Sequence, residues 1–160
     1  VADRHDKLHP CRKGTSMIFT KQTKAALDIC YAAHKDQLDK GGMPYVFHPY
    51  RVAEQMHTEN EVTVALLHDV VEDSNITIED LRVKKFPLEV IFAVGVLTRE
   101  QGTPYFEYIA KVRKNELARK VKIADLQDNM DLSRLNAPTE NDKKRAEKYR
   151  RALQLLYEKE

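Results

Sequence analysis

Apolar residues recur at helical spacing along almost the whole chain after Thr20. Ala25, Ile29, Ala32 and Ala33 mark the first such stretch, "KQTKAALDICYAAHKDQLDK", with Thr20 placed to cap its N-terminus. "GGMPYVFHP" interrupts it, because Gly41, Gly42 and Pro44 cannot continue a helix interior. Pro49 suits the first turn of a short helix, "YRVAEQMH". "EVTVALLHDVVED" predicts a third helix. Thr77, followed three residues later by Asp80, opens "IEDLRVKK" with an acidic form of the capping box. Pro87 opens "LEVIFAVGVLT", which is apolar nearly all round and is expected at the centre. "YFEYIAKVRK", "ELARKVKIADLQDNMDLSRL" and, after Pro138, "ENDKKRAEKYRRALQLLYEK" complete the set. No stretch alternates as a strand would, so the pattern predicts an all-α bundle of about seven or eight helices over residues 17–160.

The first sixteen residues, "VADRHDKLHPCRKGTS", lack this periodicity and precede Met17. They are expected to be a solvated tail or a remnant of cloning, although His5, His9 and Cys11 carry metal-binding chemistry in principle. A formal net charge of +2 on 160 residues gives no reason to expect a nucleic-acid or membrane surface. Cys11 and Cys30 form no motif, which makes a reduced, cytoplasmic setting the expectation. No apolar run approaches the roughly 18 residues of a membrane span. Oligomeric state is not legible.

Chemistry concentrates in "VALLHDVVEDSNITIEDL". Its apolar half reads as a buried helix, yet it carries His68, Asp69, Glu72 and Asp73. Burying carboxylates without a partner is costly, so a partner is required. His48, at a loop-to-helix junction, and Asp125, set among Val121, Ile123, Ala124 and Leu126, supply further candidates. Two imidazoles and two carboxylates make a mixed nitrogen and oxygen site, suited to Mn²⁺ or Fe²⁺ rather than to a closed structural zinc. Taken singly, each has a plainer reading: His68 as a hydrogen-bonded core histidine, His48 as a turn residue, Asp125 as a partner of Lys122. Glu72 and Asp73, one turn beyond the His-Asp doublet, add a proton-transfer pair beside the metal.

"GGMPYVFHP", "ALLHDVVEDSNIT" and "ARKVKIADLQDNM", in that order, resemble the signature segments of the HD-domain metal phosphohydrolases. More narrowly they resemble the hydrolase domain of the RelA/SpoT type and its small stand-alone relatives. The resemblance runs from about Thr20 to Leu155 and implies an HD-domain helical bundle. It implies Mn²⁺, or another divalent first-row ion, and removal of the 3′-pyrophosphate of the alarmones ppGpp and pppGpp. Under it, His48, His68, Asp69 and Asp125 match metal ligands, and Glu72 and Asp73 match the catalytic pair that handles water and its proton. Asn129, Lys40, Arg145 and Tyr149 match substrate contacts. The implied partner is a small nucleotide, with no nucleic acid and no membrane.

Two positions depart from the pattern. Asp39 stands where relatives commonly carry a guanine-contacting arginine, and Leu132 where many carry a small hydroxylated residue. Both leave the metal set intact but open the identity of the base. Alternatives are therefore an HD-type phosphohydrolase for another nucleotide, such as NADPH or a nucleoside phosphate, and a catalytically silent nucleotide-sensing domain. The intact ligand set and Glu72-Asp73 argue against the silent reading.

Overall fold

The structure is a computed structural model that describes residues 17–158. The expected tail, with His5, His9 and Cys11, lies outside the described residues. Among the described residues nine α-helices follow one another: α1 (Lys21–His34), α2 (Phe47–Ala53), α3 (Glu59–Leu67), α4 (Val70–Asp73), α5 (Ile78–Val83), α6 (Leu88–Leu97), α7 (Tyr105–Arg113), α8 (Glu116–Met130) and α9 (Glu140–Tyr157). A 3₁₀ turn, Leu132–Arg134, joins the last two. Among the described residues there is no strand, only an isolated antiparallel bridge between Leu38 and Pro44.

Threonine fixes four of the helix starts. Thr20, Thr58, Thr77 and Thr139 each accept from the backbone three residues on, and the side chain found there answers back to the cap. The reciprocal bond satisfies two backbone N–H groups that a helix start otherwise leaves open.

The core is built around α3, whose residues from Glu61 to Leu67 are all buried. It packs against α1, α2, α6 and α8, while α9 closes over α7 and α8. The expectation that "LEVIFAVGVLT" is the central helix is therefore corrected. Val90, Ile91, Ala93, Val94 and Leu97 of α6 are buried, but Leu88 and Phe92 face outward, 73% and 66% exposed. The apolar pattern alone could not separate a helix buried on every side from one that also keeps an apolar outer face.

Several boundaries also differ from the periodic pattern, the second helix among them, which the pattern places at 50–57 and which spans Phe47–Ala53. The first helix stops at His34 instead of running to Lys40. Beyond it the chain forms a pinched loop, where Asp39 N–H donates to the Met43 carbonyl at 2.8 Å and Tyr45 N–H to the Gln37 carbonyl at 2.9 Å. Gly42 takes φ +80°, open to glycine at no steric cost. At Gly41 a Cβ would lie 3.1 Å from the Arg134 carbonyl oxygen, so this loop and the 3₁₀ turn approach closely. The helix expected through "HDVVED" breaks at His68-Asp69 into α3 and α4. The helix expected to reach Leu135 ends at Met130. Both of these breaks fall beside the polar cluster.

Candidate metal centre

The break between α3 and α4 positions His68. Its Nδ1 lies 2.6 Å from the Ala65 carbonyl oxygen, to which it can only donate. That bond fixes the tautomer and leaves the Nε2 lone pair facing inward. His48 is fixed in the same way from α2: its Nδ1 lies 2.7 Å from Asp128 Oδ2. Both imidazoles are almost completely buried, and their ring centroids are 5.3 Å apart.

Two carboxylates close the cluster. Asp125 Oδ1 lies 3.0 Å from His48 Nε2 and 3.7 Å from His68 Nε2. Asp69 Oδ2 lies 3.0 Å from His68 Nε2 and 3.7 Å from His48 Nε2. The donor atoms of His48, His68 and Asp125 all fall within 4.8 Å of one another. Neither Nε2 has a hydrogen-bond partner, although carboxylate oxygens stand 3.0 Å away. With Nδ1 carrying the proton, each Nε2 presents a lone pair to an anion, and a positive charge has to sit between them. It can be a proton or a metal ion. Burial disfavours charge on the imidazoles, but the neighbouring aspartates outweigh it and raise the pKa of both. Burial likewise opposes ionisation of Asp69 and Asp125, and the adjacent cationic groups overcome it and hold both carboxyls below the usual range. The donor set of two imidazole nitrogens and two carboxylates fits a divalent first-row ion. Cys30 offers no competing thiolate, since burial and then Asp69 push its pKa up to about 12.

Asp125 does pair with Lys122, as the plainer reading had it, at 2.8 Å. That contact uses Oδ2 and leaves Oδ1 to the imidazoles. Asn129, one turn on along α8, donates to the same Oδ1 at 2.6 Å, so it lies on the expected face.

Glu72 and Asp73 sit on α4, exposed to solvent beside the cluster. Glu72 Oε1 accepts from the Arg99 backbone N–H at 2.7 Å. Partial burial raises the pKa of both carboxyls, and the charge on Asp69 adds to it.

The substrate candidates divide. Lys40, Asn129 and Arg145 line one cavity of about 230 Å³, together with Asp39, Tyr45 and Arg134. Lys40 Nζ and Arg145 Nη2 each lie 3.5 Å from Asp142 Oδ1. These contacts are long, and the other Asp142 oxygen caps α9 through Thr139, so both cations keep donors for an anion. Tyr149 does not line that cavity. Its ring is half-buried, with its centroid 6.3 Å from that of Tyr105. Asp39 does line it, but its Oδ1 accepts from Gly41 N–H at 2.8 Å and Met43 N–H at 3.0 Å. It is the cap of its own loop. Leu132 lines the same wall.

The sequence reading passed over three residues. Asp128 orients His48 and is itself gripped by Arg51, through Nε at 2.7 Å and Nη2 at 2.9 Å, and by Arg134 at 2.9 Å. Burial works against its charge, but His48 and the two arginines hold its pKa well down. Its signal was available: it stands three residues after Asp125, on the same helical face. Tyr45 donates to Asp69 Oδ2 at 2.5 Å. His34, fully buried, has its ring centroid 5.1 Å from that of Tyr45 and its Nδ1 2.8 Å from Gln37 Oε1. No local pattern announces either.

A helical fold carrying a His, His-Asp, Asp cluster in this order is the arrangement that the resemblance to the HD-domain phosphohydrolases implies. Comparison with known proteins agrees. A solved structure described as "A metazoan ortholog of SpoT hydrolyzes ppGpp and plays a role in starvation responses" matches with a TM-score of 0.73 at 24% identity, over 89% of each chain. In sequence, the Danio rerio guanosine-3′,5′-bis(diphosphate) 3′-pyrophosphohydrolase MESH1 is 32% identical over 121 residues, 63% of this chain and 63% of that protein. The Haemophilus influenzae protein of the same activity name is 46% identical over 58 residues, 34% of this chain. The matches span only 12% and 9% of the Borreliella burgdorferi and Haemophilus influenzae relatives. No family model matches the chain. The chain thus shares the helical fold of that solved structure and is similar in sequence, over part of its length, to proteins named as pyrophosphohydrolases. No helix among the described residues is long and apolar enough to cross a membrane.

Proposed function

We propose that the protein is a Mn²⁺-dependent phosphohydrolase that removes the 3′-pyrophosphate of (p)ppGpp. The observation that carries this reading is the pair of buried, partnerless Nε2 atoms facing Asp69 and Asp125. His48, His68, Asp69 and Asp125 would hold the ion. When bound, it supplies Lewis acidity toward phosphoryl oxygens and makes water a better nucleophile near neutral pH.

The protein groups do the rest. Glu72 is anchored through Oε1 by the Arg99 N–H, which leaves Oε2 to accept a proton from the attacking water. Asp73, also raised in pKa, assists as the neighbouring carboxylate. Arg145 presents a planar fork and Lys40 a mobile point charge to the phosphates. Asn129, held against Asp125, positions a ribose or phosphate oxygen, and Tyr149 offers an apolar wall. Residues 17–160 act as one domain in this reading, in a cytoplasmic setting that suits the buried free thiol of Cys30.

A panel of nucleotides incubated with Mn²⁺-loaded protein tests the proposal. The expected products from ppGpp are GDP and pyrophosphate, and turnover should vanish on chelation and return with Mn²⁺. The adenine counterpart and NADPH belong in the panel, because Asp39 in the cavity wall favours a second reading with another nucleotide. Turnover of NADPH but not ppGpp would establish that second reading.

Asp128→Ala gives a sharper expectation. Outer carboxylates that orient ligating histidines typically contribute roughly 10–100-fold in metal affinity. Calorimetric titration with Mn²⁺ should show a loss in that range, with the helical far-ultraviolet spectrum preserved. An unchanged affinity would mean that His48 is held by packing alone.

A further inference from the structure

Tyr45 reaches the polar cluster from outside the ligand set. It belongs to the loop between α1 and α2 and lines the cavity that also holds Lys40, Asn129 and Arg145. Its hydroxyl donates to Asp69 Oδ2 at 2.5 Å. That oxygen is the one that faces the imidazoles, 3.0 Å from His68 Nε2 and 3.7 Å from His48 Nε2. Asn129 stands in the same relation to the other carboxylate, since it donates to the imidazole-facing Oδ1 of Asp125. Each carboxylate is thus gripped by a neutral donor from the wall of one cavity. A neutral donor fixes which oxygen faces inward and leaves the negative charge in place.

The phenol is aimed by its surroundings. Its ring centroid lies 5.1 Å from that of His34 and 5.5 Å from that of His48. Its backbone N–H donates to the Gln37 carbonyl at 2.9 Å, and its carbonyl accepts from the His48 N–H at 2.8 Å. Gln37 accepts from His34 Nδ1 at 2.8 Å and donates to the Asp73 carbonyl at 3.0 Å, which ties this loop to the end of α4. One turn of chain therefore supplies His48 and grips Asp69 on another helix. Asp69 has an alternative to resist. It stands at the N-cap of α4, where an aspartate commonly turns to accept from the first N–H groups of its helix, yet it makes no such bond.

We infer that Tyr45 is a positioning residue of the metal centre: its hydroxyl holds the Asp69 carboxylate toward His48 and His68, in the orientation a ligand needs. The inference rests on the reading under Proposed function and adds a residue which that reading does not use. Tyr45 acts through Asp69 and carries no step of the reaction itself.

Tyr45→Phe tests it, because the change keeps the ring and the backbone bonds and deletes the donor alone. Calorimetric titration with Mn²⁺ should show roughly tenfold weaker binding than in wild type, the lower end of what groups that orient ligands contribute. Tyr31→Phe, an exposed change on α1, is the control and should match wild type. At saturating Mn²⁺ the electron paramagnetic resonance spectrum of the bound ion should also change in Tyr45→Phe, which a loss of stability alone would not produce. Unchanged affinity overturns the inference, and a raised KM for ppGpp beside it would mark the hydroxyl as a substrate contact instead. If the wild type binds no Mn²⁺, the functional reading fails, and the hold on Asp69 is then judged by a double-mutant cycle in urea. Tyr45→Phe should raise the unfolding constant roughly tenfold, the scale of a hydrogen bond to a charged group, but should have no such effect in the Asp69→Ala background. Equal effects in the two backgrounds refute the hold.

Discussion

Glu72→Gln is expected to bind Mn²⁺ as tightly as the wild type and to turn over roughly 10²–10⁴-fold more slowly, the usual contribution of a proton-transfer group. The two properties separate because Glu72 stands outside the ligand cluster. It lies on α4, only partly exposed to solvent, with Oε1 taken by the Arg99 N–H at 2.7 Å. A glutamine oxygen can keep that bond, so the side chain stays in place while its ability to take a proton is lost. Its raised pKa, from burial and then from Asp69, suits a group that exchanges a proton during turnover. Metal affinity by calorimetry and kcat by product release, measured on the same preparation, decide the matter. Loss of metal in Glu72→Gln as complete as that expected of Asp69→Ala would make Glu72 a ligand.

Asp125→Ala should lose metal and activity together, and should also destabilise the fold by about 3–5 kcal/mol, the cost of breaking a buried ion pair from one side. Asp125 faces both imidazoles through Oδ1 and Lys122 through Oδ2, with its side chain only 4% exposed. Removing it strands the Lys122 ammonium, itself largely buried, without its direct ion-pair partner, leaving the Tyr108 ring 5.4 Å away and the charge of Asp69 at longer range. A second change isolates the cause. Asp125→Ala combined with Lys122→Met should recover most of the stability in urea denaturation while remaining unable to bind Mn²⁺. Recovery of metal binding in the double variant would remove Asp125 from the ligand set.

The ligand candidates were legible in the sequence because each broke a local rule. His68 and Asp69 interrupt an apolar run, and Asp125 stands among Val121, Ile123, Ala124 and Leu126. A polar group in an apolar run advertises its need for a partner, and three such violations in one chain point to one centre. His48 was found by its place after a glycine loop and before Pro49. Asp128, Tyr45 and His34 broke no rule. An aspartate in a polar stretch, a tyrosine in a loop and a histidine near a helix end look ordinary until their partners, up to eighty residues distant in sequence, come into view.

Helical periodicity determined the fold class and most helix starts, since the apolar spacing and the threonine caps act within a few residues of themselves. Tertiary structure decided where helices break. The α3–α4 break and the end of α8 at Met130 both lie beside the polar cluster, where a straight helix would have carried these groups past one another. It decided that α3, not α6, is central, because burial depends on what packs from outside. It also decided that Asp39 caps its own loop, which no charge count could reveal. Periodicity reports one face of one helix; a site needs several faces to meet, and only packing brings them together.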